Sequence, residues 1–204
     1  MSNICTALEA VRQRLNEFLQ AAQPRTEEWA VLSNLVDPEG KAYVGARNRL
    51  VMFLSNVQKE TVISTSSGVV PAGDTHYAMV APPLHVNLYV LVFANFYDAS
   101  YTEGLATLSL ALGFFQQNPS FTPATLPALP PGVERLDWDM VSLAPADLSY
   151  LVGLAGVRYL PSAVYRVRLL TFRSDAARNH APAVQGVQTP GRVAAQAVRA
   201  EGAE

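Results

Sequence analysis

Residues 84–96 read LHVNLYVLVFANF. Taken at every second position, one side of this stretch carries Leu84, Val86, Leu88, Val90, Val92, Ala94 and Phe96. The other carries His85, Asn87, Tyr89, Leu91, Phe93 and Asn95. A period of two predicts a strand, with one face wholly apolar and the other mixing apolar with hydrogen-bonding groups. The segment after it changes period. From Ser100 to Gln117 the spacing predicts a helix, with Ser100 and Glu103 at capping-box separation and Tyr101, Leu105, Leu108, Leu112 and Phe115 as its buried stripe.

Working outward, Asn48 to Val57 reads as a second strand, apolar on both sides and therefore central. Upstream, Ile4, Leu8, Val11, Leu15, Phe18, Leu19 and Ala22 recur at helical steps, and Pro24 ends that helix. Trp29 to Leu35 reads as a short strand before the turn Asp37-Pro38-Glu39-Gly40. Thr61 to Val80 reads as a long polar loop. Downstream, Pro119, Pro123, Pro127, Pro130 and Pro131 make a stiff connector. Val133 to Leu143 reads as a strand, Pro145 to Leu154 as a short helix stopped at Gly156, and Leu160 to Phe172 as the last strand. The expected fold is α/β (α+β): a mixed or antiparallel sheet of about five strands flanked by three helices. Residues 1–173 form one domain in this reading. The tail 174–204 has nine Ala and four Val but no Leu, Ile, Met or aromatic residue, and is expected to be disordered.

The chain has 204 residues, half of them hydrophobic and 16% charged, with a net charge of −2. That composition supports a core and lacks the basic excess a nucleic-acid partner needs. No secretory signal or membrane span is read, which predicts synthesis in the cytoplasm. Cys5 is the only cysteine, excluding an intrachain disulfide, and its place beside the helical stripe predicts burial.

No phosphate loop, dinucleotide fingerprint or nucleophile elbow is present, and no metal or cofactor is expected. Three sets of residues invite a catalytic reading: Asp137 with Asp139 two apart on a strand, the row His85, Asn87 and Tyr89, and Asp74, His76 and Ser66 or Ser67 within one loop. Each has an ordinary structural explanation: a solvated strand face, a satisfied hydrogen-bond row, a loop with nothing to hold geometry. Arg166 and Arg168 share a face of the last strand, followed by Arg173, and suit an edge or interface charge row.

Six segments in order carry a resemblance: LSNLVD at 32–37, PPLHVNLYVLVFANF at 82–96, YTEGL at 101–105, FFQQNPSFTP at 114–123, PGV at 131–133 and RYLPSAVYRVRLLTF at 158–172. Together they resemble the cap, or tail-terminator, proteins of phage-tail-like contractile injection systems of the antifeeding-prophage and virulence-cassette type. The resemblance implies a structural protein, not an enzyme. It implies a ring, expected to be a hexamer, that caps inner tube and sheath at the end far from the baseplate, in a particle that is released or stays intracellular. Its implied partners are itself and the tube and sheath subunits. An assembly adaptor or chaperone of the same system is the alternative, and a small enzyme using the Asp137/Asp139 or His85 face is a further one. Interface roles are expected of Arg158, Tyr159, Pro161, Tyr165, Arg166 and Arg168, with the last strand offering a pairing edge, and of Pro119, Phe121 and Pro123 on the connector.

Overall fold

A computed structural model describes residues 3–61, 68–71, 76–80, 84–157, 159–172 and 177–182. In chain order the elements are α1 (Asn3–Ala22), β1 (Ala30–Leu32), β2 (Arg49–Lys59), β3 (Gly68–Pro71), β4 (His76–Val80), β5 (Leu84–Asn95), α2 (Tyr101–Gln117), β6 (Ser120–Phe121), β7 (Leu136–Met140), α3 (Pro145–Leu154), β8 (Ser162–Phe172) and β9 (Ala177–Pro182). They divide into two compact units, residues 1–66 with 82–174, and residues 67–81 with 175–204.

The larger unit is built on a six-stranded sheet in the order β1-β2-β5-β8-β7-β6. β1 is parallel to β2, and every other neighbouring pair is antiparallel. The uniformly apolar face of β5 does what its sequence predicts. Leu88, Val90 and Val92 are fully buried with Leu8, Val11, Leu15 and Leu19 of α1 and Phe114 and Phe115 of α2. Leu91 and Phe93, on the other face, join a second cluster with Val51, Val164, and Val152 of α3. Two helices therefore cover one face and α3 covers part of the other.

Polar side chains of α1 finish the β1 rim. Asn16 accepts a hydrogen bond from the Ala30 N–H (2.8 Å) and donates one to the Ala30 carbonyl (2.8 Å). Arg12 donates to the same carbonyl (3.1 Å) and pairs with Glu9 and Glu28. The hydrogen bonds that Arg12 donates to the Glu9 carboxylate raise the Arg12 pKa further above its already high ordinary value. Beyond β1 the outer edge of β2 continues through a bulge at Ser55 into the exposed Asn56, Val57, Gln58 and Lys59, a mostly polar, bent edge that discourages pairing.

Helix α2 departs from the expected stripe. Its buried residues are Gly104, Thr107, Ala111, Phe114 and Phe115, whereas Tyr101 and Leu105 are exposed. The reason is close approach. A Cβ on Gly104 would lie 2.7 Å from the Phe96 Cβ, so only a face of small residues lets the helix reach the end of β5. Ser100 makes no side-chain cap, because a 3-10 turn at Asp98–Ser100 leads directly into the helix. Cys5, expected to be buried, is exposed. Helix α3 starts with its proline at the first turn and ends before Gly156 at φ 73°, as read.

The smaller unit is a three-stranded antiparallel sheet, β3-β4-β9. The segment read as a polar loop thus contains two strands, and the tail read as disordered contains a third. β3 and β4 carry Val and Met, but runs of four and five residues set among Ser, Gly, Pro and Asp read as loop, and β9 has no large apolar residue to signal it.

Candidate functional site

Strand register brings together residues that lie far apart in the chain. β7 and β8 align Asp137 with Arg168 and Asp139 with Arg166, and β5 and β8 align Tyr89 with Arg166. The Asp137/Asp139 pair, the Arg166/Arg168 pair and the row from His85 to Tyr89 therefore lie on one sheet face, beyond the part that α3 covers. The carboxylates are occupied. Asp139 Oδ2 is 3.0 Å from Arg168 Nε and 3.6 Å from Arg166 Nη2, and Asp137 pairs with Arg135. Neither arginine Nε–H is aimed at an acceptor, so these are ion pairs without a well-directed Nε hydrogen bond. Asn87 donates to Glu60 (2.9 Å), while its own oxygen has no partner. Such a face presents carboxylates already held in ion pairs with arginines. No group of three or more His, Cys, Asp or Glu poised for a metal occurs among the described residues, and no helix among them is long and apolar enough to cross a membrane. Of the third set, Ser66, Ser67 and Asp74 lie outside the described residues, and His76 opens β4.

The interface residues expected from sequence separate into three groups. Tyr165 and Phe121 are core. Tyr165 is 3% exposed, with ring centroids 4.6 Å from Phe115 and 5.8 Å from Trp138, and burial pushes its hydroxyl up to about 12. Phe121 packs on Phe114 and Trp138. Pro161, Arg166 and Arg168 are half-buried, and the Pro161 carbonyl accepts the Ala94 N–H (2.8 Å). Tyr159, Pro119 and Pro123 are exposed. Arg158 lies outside the described residues. The expectation that the last strand of the domain offers a pairing edge fails, because β8 is paired on both sides, by β5 and β7.

Two surfaces were reached only in part by the sequence reading, which named Tyr159, Pro119 and Tyr165 but not their neighbours. On α3, Leu148, Leu151 and Val152 pack with the cluster on the sheet, yet Tyr150 (75%) and Leu154 (73%) stand in solvent, as does Tyr159 (72%) just after the helix. On the opposite face of the sheet, a groove of about 620 Å³ runs between the C-terminal half of α2 and β7, lined mainly by Leu112, Phe115, Trp138, Met140 and Tyr165, with Gln116 and Asp139 contributing polar groups. The signal was available. α3 has one charged residue, Asp147, and α2 has one, Glu103.

The comparisons with known proteins agree with this fold. Residues 6–186 match the family described as the Pvc16 N-terminal domain. The sheath/tube terminator of an extracellular contractile injection system, PVC, solved in its extended state, superposes with a TM-score of 0.64 at 12% identity, covering 95% of this chain and 65% of that one. The tube-terminating cap of the anti-feeding prophage superposes with a TM-score of 0.57 at 17% identity, covering 88% of this chain and 59% of that one. The chain thus spans less than two thirds of either solved protein. No curated protein matches the sequence.

Proposed function

The chain belongs to the Pvc16 N-terminal domain family, and from that premise we propose that it is a structural subunit closing the baseplate-distal end of the inner tube and contractile sheath of a phage-tail-like injection particle. The observation that carries this reading is the likeness, over nearly the whole chain, to two solved proteins described as a terminator and a cap. Its partners in this reading are further copies of itself, arranged as a ring of six, and the last tube and sheath subunits. It catalyses no reaction. Its chemistry is that of surfaces: the charged sheet face of Asp139, Arg166 and Arg168 and the apolar surfaces on α2 and α3 supply contact. The pairing of both carboxylates with arginines supports this over a hydrolase using Asp137 and Asp139. The protein is made in the cytoplasm and becomes part of the particle.

Particles assembled in cells lacking the chain test the reading. Electron micrographs are expected to show tubes of irregular, often excessive length, and a wild-type length distribution refutes the terminator role. Mass spectrometry of purified particles is expected to find the chain. Its absence from particles of otherwise altered length would make it an assembly adaptor.

A further inference from the structure

We propose that Arg166 and Arg168 receive an acidic side chain presented by the tube and sheath end that the chain closes. The proposal rests on the terminator reading above and names the chemistry of its contact.

The two arginines stand two residues apart on β8, so both side chains leave the sheet on one face, about 7 Å apart along the strand. Opposite them β7 offers a single carboxylate. Asp139 Oδ2 is 3.0 Å from Arg168 Nε and 3.6 Å from Arg166 Nη2. The other carboxylate of that strand, Asp137, is engaged by Arg135. Three arginines thus meet two carboxylates, and the group keeps one positive charge. Glu60 is too far to cancel it. It lies past the end of β2, two strands from β8, and is tied to Asn87.

Two other arginines of the larger unit show what a guanidinium does when its work is structural. Arg12 donates to Glu9 and to the Ala30 carbonyl, and Arg25 donates to the carbonyls of Glu27, Glu28 and Asn48. Arg166 and Arg168 make no well-directed hydrogen bond to any group among the described residues. Their side chains are 38% and 40% exposed, on a part of the face that α3 leaves open. Surplus charge and unused donors call for an anionic group rich in acceptors, which on a protein neighbour is a carboxylate. The same surplus repels an approaching lysine or arginine, so the contact also selects how the neighbour is placed. Half-exposed ion pairs are weak and open at small cost. Asp139 therefore holds the two arginines side by side and competes only mildly with the incoming carboxylate.

Particles assembled in cells lacking the chain, mixed with the purified full chain and pelleted, test this across a series of chain and salt concentrations. The wild type is expected to bind, and to bind more weakly as salt rises. Arg166→Gln and Arg168→Gln, their folds checked by circular dichroism, are each expected to bind about tenfold more weakly, the worth of a charge-assisted hydrogen bond, and to show a flatter salt dependence. Asp139→Asn is expected to bind up to about fivefold more tightly, because it removes the internal competitor. That gain separates docking from a structural role, in which loss of either side of the ion pair weakens binding. Glutamine variants that bind like wild type, or an Asp139→Asn chain that binds more weakly, overturn the proposal and leave the terminator reading standing. A wild type that does not bind the particles overturns both. Glutamine variants that lose self-association in sedimentation velocity yet bind particles normally would assign the carboxylate to a second copy instead.

Discussion

Replacing Gly104 and Gly113 by alanine, one at a time, makes the same chemical change twice in one helix and should give opposite results. In α2 each substitution removes the backbone entropy penalty of glycine, a gain of about 0.5–1 kcal/mol. At Gly113 the new methyl meets nothing within 4 Å, so the gain stands. At Gly104 it would sit 2.7 Å from the Cβ of Phe96, 2.8 Å from Cγ and 2.9 Å from Cδ2. The nearest of these atoms is anchored to the backbone and cannot swing away. Phe96 is 2% exposed and stacks on Trp29 with centroids 6.5 Å apart, so relief requires α2 to move off the end of β5. Overpacking of this kind costs about 1–3 kcal/mol and more where backbone must shift, which exceeds the propensity gain. Urea unfolding followed by the fluorescence of the two tryptophans, Trp29 and Trp138, both buried, reads the difference. Gly113→Ala should raise the midpoint, and Gly104→Ala should lower it by the equivalent of about 1–2 kcal/mol. Equal midpoints for the two variants would refute the account of why α2 buries its small residues.

Three further outcomes follow from particular contacts. Asn16→Leu leaves the Ala30 N–H without its acceptor and should cost about 1–3 kcal/mol, with faster exchange of the Ala30 amide as the local signature. Tyr165 is held neutral by burial, its pKa raised from 10.0 to about 12, so its contribution to stability is intact below pH 10 and is lost between pH 10 and about 12. The loss amounts to about 2–3 kcal/mol, and Tyr165→Phe should remove that part of the alkaline slope in pH-dependent unfolding. Arg166→Ala with Arg168→Ala should change unfolding free energy by no more than about 1 kcal/mol, since the ion pairs with Asp139 are half exposed. Tube-length distributions altered by this stable double variant would assign the charged sheet face to the tube or sheath, and unaltered ones would remove it from the interface.

How much of this was legible depended on whether a pattern was local. β5 and α1 were readable because each has one unambiguous period, with Val86 to Ala94 on a single face and Leu8 to Leu19 on a single stripe. α3 was readable from Pro145 and Gly156 at its two ends. α2 was harder, since almost every position is apolar and leucines outweigh Gly104 and Ala111 on any hydrophobic count. The winning face was chosen by distance to Phe96, which no period reports. β4 pairs with the neighbouring β3 and with β9 about a hundred residues away, and strands this short, set in Ser, Gly and Pro or, in β9, lacking a large apolar residue, give no periodic signal. The six segments that carried the family resemblance pointed to the right fold, but the site needed sheet order. Only the placement of β8 between β5 and β7 removes its free edge, brings Arg166 and Arg168 beside Asp139, and retires Tyr165 and Phe121 to the interior.

The rims of the larger sheet are strands of three and two residues, and at one of them Asn16 already holds both main-chain groups of Ala30. Little backbone is left there for a neighbouring molecule to copy, so crowding many such chains at one place gives scant encouragement to fibre growth.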